Sequence, residues 1–209
     1  NGFHKNNSIT VNVNTNSPIT SSFTTSDITV TNGTVSNITN LDENTDQSWQ
    51  FTLTSSNAGQ VTTATIADSA LQSNLNNNLA SSFSWTYDNT KPTIQISGKK
   101  IDNSVVNSGD YNNEPYIYLD FVASENVTLL DTSINVTNGS LTSFAGSGTT
   151  YSAKLTPNAN GAISTIIPID SIFDVANNFN DQSSNNFIWN YDNVGPTLTI
   201  GSNDVSLNG

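Results

Sequence analysis

The chain has 209 residues, 34% apolar and 9% aromatic, enough to build one or two modest cores but not a single enzyme-sized one. Its formal net charge is −12 and its five cationic side chains are all lysine, so no guanidinium fork is there to grip phosphate and nucleic acid is not an expected partner. Without cysteine there is no disulfide, thiolate metal site or Cys nucleophile; without a long apolar run or a basic leader, no membrane insertion is expected within this segment.

Residues 9–20, "ITVNVNTNSPIT", alternate apolar and polar side chains and predict a strand running into a bend. Residues 27–37, "DITVTNGTVSN", place Asn32-Gly33 between two strand-like runs. That dipeptide accepts positive φ, so a tight hairpin is expected there. In "SWQFTLTSSNAGQVTTATI", residues 48–66, Trp49, Phe51 and Leu53 fall on one face of a further strand. Residues 67–75, "ADSALQSNL", have helical spacing for a turn or two. Next comes "FSWTYDNTKPTIQI", residues 83–96: strand, turn, proline, strand.

The same order then begins again. "IYLDFVASENVT" (117–128) matches 9–20, "SINVTNGSLTS" (133–143) matches 27–37 with Asn138-Gly139 in place, and "TYSAKLTPNANGAISTIIP" (150–168) matches 48–66. "IDSIFDVAN" (169–177) is the second stretch with helical spacing, and "FIWNYDNVGPTLTI" (187–200) is the twin of 83–96. An internal repeat of about seven short strands with turn signals between them predicts two all-β Greek-key sandwiches. The expected boundaries are 1–90, 91–195, and 196–209 as the first strand of a following domain or a linker.

In this scheme the twin motifs are junctions, with "FxWxYDN" closing one sandwich and "PTxxI" opening the next. Pro92 and Pro196 lack an amide proton and hold the preceding residue extended, which stiffens the connection. Overlapping Asn208-Gly209 on Asn1-Gly2 continues the pattern, and no methionine stands at residue 1. The expectation is one two-domain period of a longer array.

No catalytic machinery assembles. The sole histidine, His4, sits in a polar stretch; with no second histidine and no G-x-S-x-G elbow, no serine triad has a base, and the chain is not expected to be an enzyme. Calcium suits the composition better, because it takes about six to eight oxygen ligands. Asp88-Asn89, Asp192-Asn193, Glu125, Asp174 and Asp181 offer them. The alternative for the Asp-Asn pairs is a turn closed by side-chain to backbone bonds, which needs no metal. Six N-x-S/T sequons, at Asn6, Asn32, Asn37, Asn126, Asn135 and Asn138, would be glycan acceptors only in a eukaryotic source. Trp49, Trp85 and Trp189 lie in strand frames that favour core packing, leaving Tyr111, Tyr116 and Tyr118 as the surface aromatics a glycan could use.

The ordered set of the "SEN" bend, the Asn-Gly pair, "GTTYSAKLTPNANGAIS", "IFDVANNFN" and "FxWxYDNxxPTxxI" resembles the bacterial Ig-like domains repeated in tandem in large cell-surface adhesins and biofilm proteins. The resemblance is closer over 117–200 than over 9–96. It implies two tandem Ig-like Greek-key β-sandwiches in an extracellular stalk or filament at the cell surface. It further implies junctions clamped by calcium through Asp88, Glu125, Asp174 and Asp192, with Asp120 and Asp181 as further ligands. In the first unit Ser17 replaces the bend glutamate and Gln72 the loop aspartate. Neighbouring Ig-like repeats, met head to tail or laterally, are the expected partners, with residues 1–8 and 201–209 able to supply an edge strand. The alternative is a glycan- or protein-binding Ig-like module of an adhesin, or an accessory domain of an enzyme.

Overall fold

The computed structural model describes residues 2–19, 21–67, 70–71 and 80–201. Its first half contains β1 (Gly2–His4), β2 (Ser8–Asn14), β3 (Ile28–Thr31), β4 (Gly33–Asn40), β5 (Ser48–Ser55), β6 (Val61–Ile66) and β7 (Ser81–Tyr87). The second half contains β8 (Ile94–Lys99), β9 (Val105–Val106), β10 (Tyr111–Asn112), β11 (Ile117–Ala123), β12 (Val127–Thr128), β13 (Asn135–Thr137) and β14 (Gly139–Ser147). It ends with β15 (Thr150–Pro157), β16 (Gly161–Ile166), β17 (Phe173–Asp174) and β18 (Phe187–Tyr191).

These strands form two tandem Ig-like Greek-key sandwiches. In the first, the sheet β1-β7-β6-β3 faces β2-β5-β4; in the second, β10-β18-β16-β13 faces β14-β15-β11-β8-β9. Alternation along the strands sends one face of each sheet inward. Val11, Phe51, Leu53, Ile66 and Trp85 share one core, and Ile94, Leu119, Phe121, Leu155 and Trp189 another. Trp85 and Ile94, nine residues apart in "WTYDNTKPTI", therefore lie in different cores.

Two local expectations are corrected. The Asn-Gly pairs are not hairpins: β3 pairs with β6 while β4 pairs with β5, and β13 pairs with β16 while β14 pairs with β15. Each Asn-Gly is a corner at which the chain leaves one sheet for the other. Asn32 and Asn138 take φ of 54° and 59°, and the glycines that follow sit where a side chain has no room. A Cβ on Gly33 would lie 2.4 Å from the Thr54 carbonyl oxygen, and one on Gly139 would lie 2.9 Å from Ile163 Cγ2. The helical spacing of 169–177 also misleads. That stretch holds β17 between turns, with Asp170 and Asn177 at positive φ, because its apolar Ile172 is drawn into the core from a loop. Most of the other helix-like stretch, 67–75, with Gln72, lies outside the described residues, as does 202–209. Among the described residues no helix is long and apolar enough to cross a membrane.

Candidate metal centre

The junction between the sandwiches is built by ladders that run slightly past their strands. β1 lies parallel to β7, and the Asp88 amide extends that pairing by donating to the His4 carbonyl at 3.1 Å. The Asp88 Oδ1 then accepts the Thr90 amide at 3.0 Å, an Asx turn that aims the chain at Pro92. Beyond the proline, Thr93 and Ser124 are stitched twice: the Ser124 amide donates to the Thr93 carbonyl and the Thr93 amide to Ser124 Oγ, both at 2.9 Å. This holds the Ser124-Glu125-Asn126 bend against the start of β8.

The short β12–β17 ladder brings in the third component, since Val127 pairs opposite Asp174 and so sets Glu125 beside the aspartate loop. Asp88, Glu125 and Asp174 each offer a carboxylate oxygen, and those oxygens lie within 4.8 Å of one another. Asp174 is buried and well held: its Oδ1 accepts the amides of Ala176 and Asn178, both at 2.8 Å, and its Oδ2 accepts Asn178 Nδ2 at 2.9 Å. The same Asn178 Nδ2 donates to the Asp88 carbonyl at 2.8 Å, linking the loop to the junction.

Glu125 is different. Its Oε1 is sealed from solvent and has no hydrogen-bond partner. Burial, then the negative charges of Asp174 and Asp88, push its carboxyl above the usual range. Three carboxylates with one orphaned oxygen repel one another as they stand, and a hard dication between them would satisfy the orphan and reverse the repulsion. The all-oxygen donor set suits calcium rather than a metal that prefers nitrogen or sulfur.

The remaining candidates are placed elsewhere. Asp120, on β11, pairs with Lys99 at 2.7 Å, and Asp181 pairs with Lys91 at 3.1 Å. Asp192 follows β18 as Asp88 follows β7, and its Oδ1 accepts the Val194 amide at 3.0 Å in the same kind of turn. It is exposed and joins no carboxylate group among the described residues. Asn178 was not among the residues singled out in the sequence, where the only asparagines named as oxygen donors were Asn89 and Asn193 of the two Tyr-Asp-Asn turns. Its signal was position, four residues after the loop aspartate.

Trp85 and Trp189 are buried, as their strand frames predict, and Trp49 is half-buried. Tyr116 and Tyr118 are half-buried and pack edge to face at 5.5 Å, with Lys154 Nζ 3.9 Å above the Tyr116 ring, while Tyr111 is 76% exposed.

No curated protein matches the sequence. Among solved structures, the chain is similar to that of Yersinia pseudotuberculosis InvD, with 12% identity and a TM-score of 0.39, over 94% of this chain and 58% of that one. This chain thus spans somewhat more than half the length of that structure. Residues 88–189 match the family model described as bacterial Ig-like domain, a span that opens on Asp88 and takes in Glu125 and Asp174. The second sandwich, with the carboxylate cluster at its entrance, is an Ig-like domain similar to those of bacteria.

Proposed function

We propose that the chain is a structural segment of an extracellular stalk or adhesin at a cell surface, in which calcium braces the joint between consecutive Ig-like sandwiches. One observation carries this reading: Asp88 from the junction, Glu125 from the bend and Asp174 from the loop converge, and the Glu125 Oε1 is buried without a partner. A cation held there would tie the end of the first sandwich to two loops of the second and restrict their bending. The acidic, arginine-free composition suits such a spacer, since like-charged stalks repel one another and stay dispersed. The match to a bacterial Ig-like domain supports a surface location.

The test is thermal melting of the purified chain in calcium and in chelator. A ligand that binds only the folded form stabilises it by about 2.7 kcal/mol at a hundredfold excess over its Kd. For a domain of this size that raises Tm by roughly 10 °C. Identical melting curves in the two buffers would reject the calcium brace.

A further inference from the structure

The two sandwiches share a strand register, so outward positions of the second have counterparts in the first. Val11 pairs with Phe51 as Leu119 pairs with Ala153, and these inward residues stay apolar in both cores. The outward residues change in kind. Thr10 pairs with Thr52, whereas at the same register Tyr118 pairs with Lys154. One step along, Asn12 opposite Gln50 becomes Asp120 opposite Ser152, and Ser8, two residues before Thr10, becomes Tyr116.

Beside this row the outer face of the second sheet is hollowed, and small residues make the hollow. β4 and β14 both break register at a bulge; they resume with Thr39 opposite Gln50 and with Ala145 opposite Ser152. Alanine and serine thus stand where the first unit has threonine and glutamine. An open groove of about 540 Å³ lies there, lined by Asp120, Val122, Ala145, Gly146, Thr150 and Ser152 among others. Its size falls within the ~300–1,000 Å³ of small-molecule sites. Gly146 keeps its border bare, because a Cβ there would lie 2.4 Å from the Thr150 carbonyl oxygen.

The polar groups suit hydroxyls better than a charged ligand. Both Asp120 oxygens accept Lys99 Nζ, at 2.9 and 2.7 Å, so an acceptor and a donor stand side by side as the neighbouring hydroxyls of a sugar require. Lys100 is likewise paired, with Glu114 at 3.8 Å, and the net charge of −12 repels a polyanion. Lys154 joins no ion pair among the described residues; its ammonium steadies the Tyr116 ring and keeps N–H donors for a ligand. Tyr116 and Tyr118 add apolar ring surface with hydroxyl tips, on which the C–H face of a pyranose can pack.

We propose that this outer face of the second sandwich binds a neutral saccharide chain, with a sugar ring against Tyr116 and Tyr118 and hydroxyls reaching Asp120, Lys99 and Ser152. The first sandwich, built on the same strands without these side chains, is a spacer. The site is independent of the calcium brace, since Asp120 and Lys99 lie outside the carboxylate cluster.

Calorimetric titration of the full chain in chelator with maltohexaose, cellohexaose and mannohexaose, and with hexagalacturonate as the acidic counterpart, tests this. At least one neutral probe is expected to bind with a Kd of about 1 mM or tighter. It should shift backbone amide signals of an isotope-labelled chain in β11, β14 and β15 and leave those of β2, β4 and β5 in place. Tyr118→Thr with Lys154→Thr, which writes the first unit's pair into the second, should weaken binding at least about tenfold. Ala145→Thr with Ser152→Gln, which refills the groove with residues the first unit carries at the same register, should do the same. Both variants are expected to keep the circular dichroism spectrum of the parent chain. Absence of heat and of signal shifts with every neutral probe overturns the proposal, as does binding that both variants leave intact. Tighter binding of hexagalacturonate, or self-association of the chain that both variants abolish, would assign the face to another occupant and overturn it equally. Affinity should be the same in calcium and in chelator, so failure here leaves the calcium brace standing, and loss of the calcium response leaves the saccharide site standing.

Discussion

The side-chain amide of Asn178 donates at once to the carbonyl of Asp88 and to the carboxylate of Asp174, at 2.8 and 2.9 Å. Ninety residues separate Asn178 from Asp88, so this one group fastens the exit of the first sandwich to a loop of the second. Breaking it by Asn178→Ala should cost about 1–3 kcal/mol, because a buried carboxylate loses a donor. Melting should report that loss, and small-angle scattering should report a wider spread of domain orientations. A scattering profile identical to that of the parent protein would show that Asn178 does not hold the joint.

Glu125→Gln should act with opposite signs in the two buffers. The carboxyl of Glu125 is raised above its ordinary value by burial and by Asp174 and Asp88, so the folded form holds its proton more tightly than the unfolded chain. In chelator this group therefore lowers stability as pH rises from its ordinary value, roughly 4.3, through its raised folded value. The glutamine variant lacks that loss, and in chelator at neutral pH its Tm should lie above that of the parent. In calcium the order should invert, since the amide gives up a charged ligand. Measuring Tm for both proteins in both buffers at pH 4 and pH 7 checks the crossing.

Asp120→Asn should change little. The Asp120–Lys99 pair is about one-third exposed on both sides, where solvent screening leaves such a pair worth less than about 1 kcal/mol. It also lies outside the Asp88 cluster. The variant should keep the full rise in Tm on adding calcium, and a lost response would bring Asp120 back as a ligand.

Gly33→Ala should be among the most damaging single changes in the first sandwich. The new methyl would meet the Thr54 carbonyl oxygen and the buried Thr62 side chain at the corner between sheets. Backbone cannot step aside as a flexible side chain can, and overpacking of this kind costs about 1–3 kcal/mol. Denaturant unfolding should show a lower midpoint for the first sandwich; an unchanged midpoint would mean that the corner has slack.

Much of this architecture was legible in the order of residues. Alternation placed Phe51, Leu53, Trp85 and Trp189 inward, and the repeated Trp-x-Tyr-Asp-Asn to Pro-Thr passage marked where one core gives way to the next, because period-two burial and proline geometry are local properties. Asp88, Glu125 and Asp174 were nameable as acidic residues at bends. Their convergence, and the separation of Asp120 and Asp181 into lysine pairs, depended on the Thr93–Ser124 stitch and the β12–β17 ladder, contacts between segments far apart in the chain. The Asn-Gly pairs show the same division: the dipeptide specifies positive φ, but whether the next strand returns to its own sheet or crosses to the other is decided by which partner edge, β5 or β15, lies ready to receive it. Phe83 and Phe187 carry it furthest, since identical residues in near-identical strands differ in burial: β8 covers Phe187, and among the described residues no strand covers Phe83.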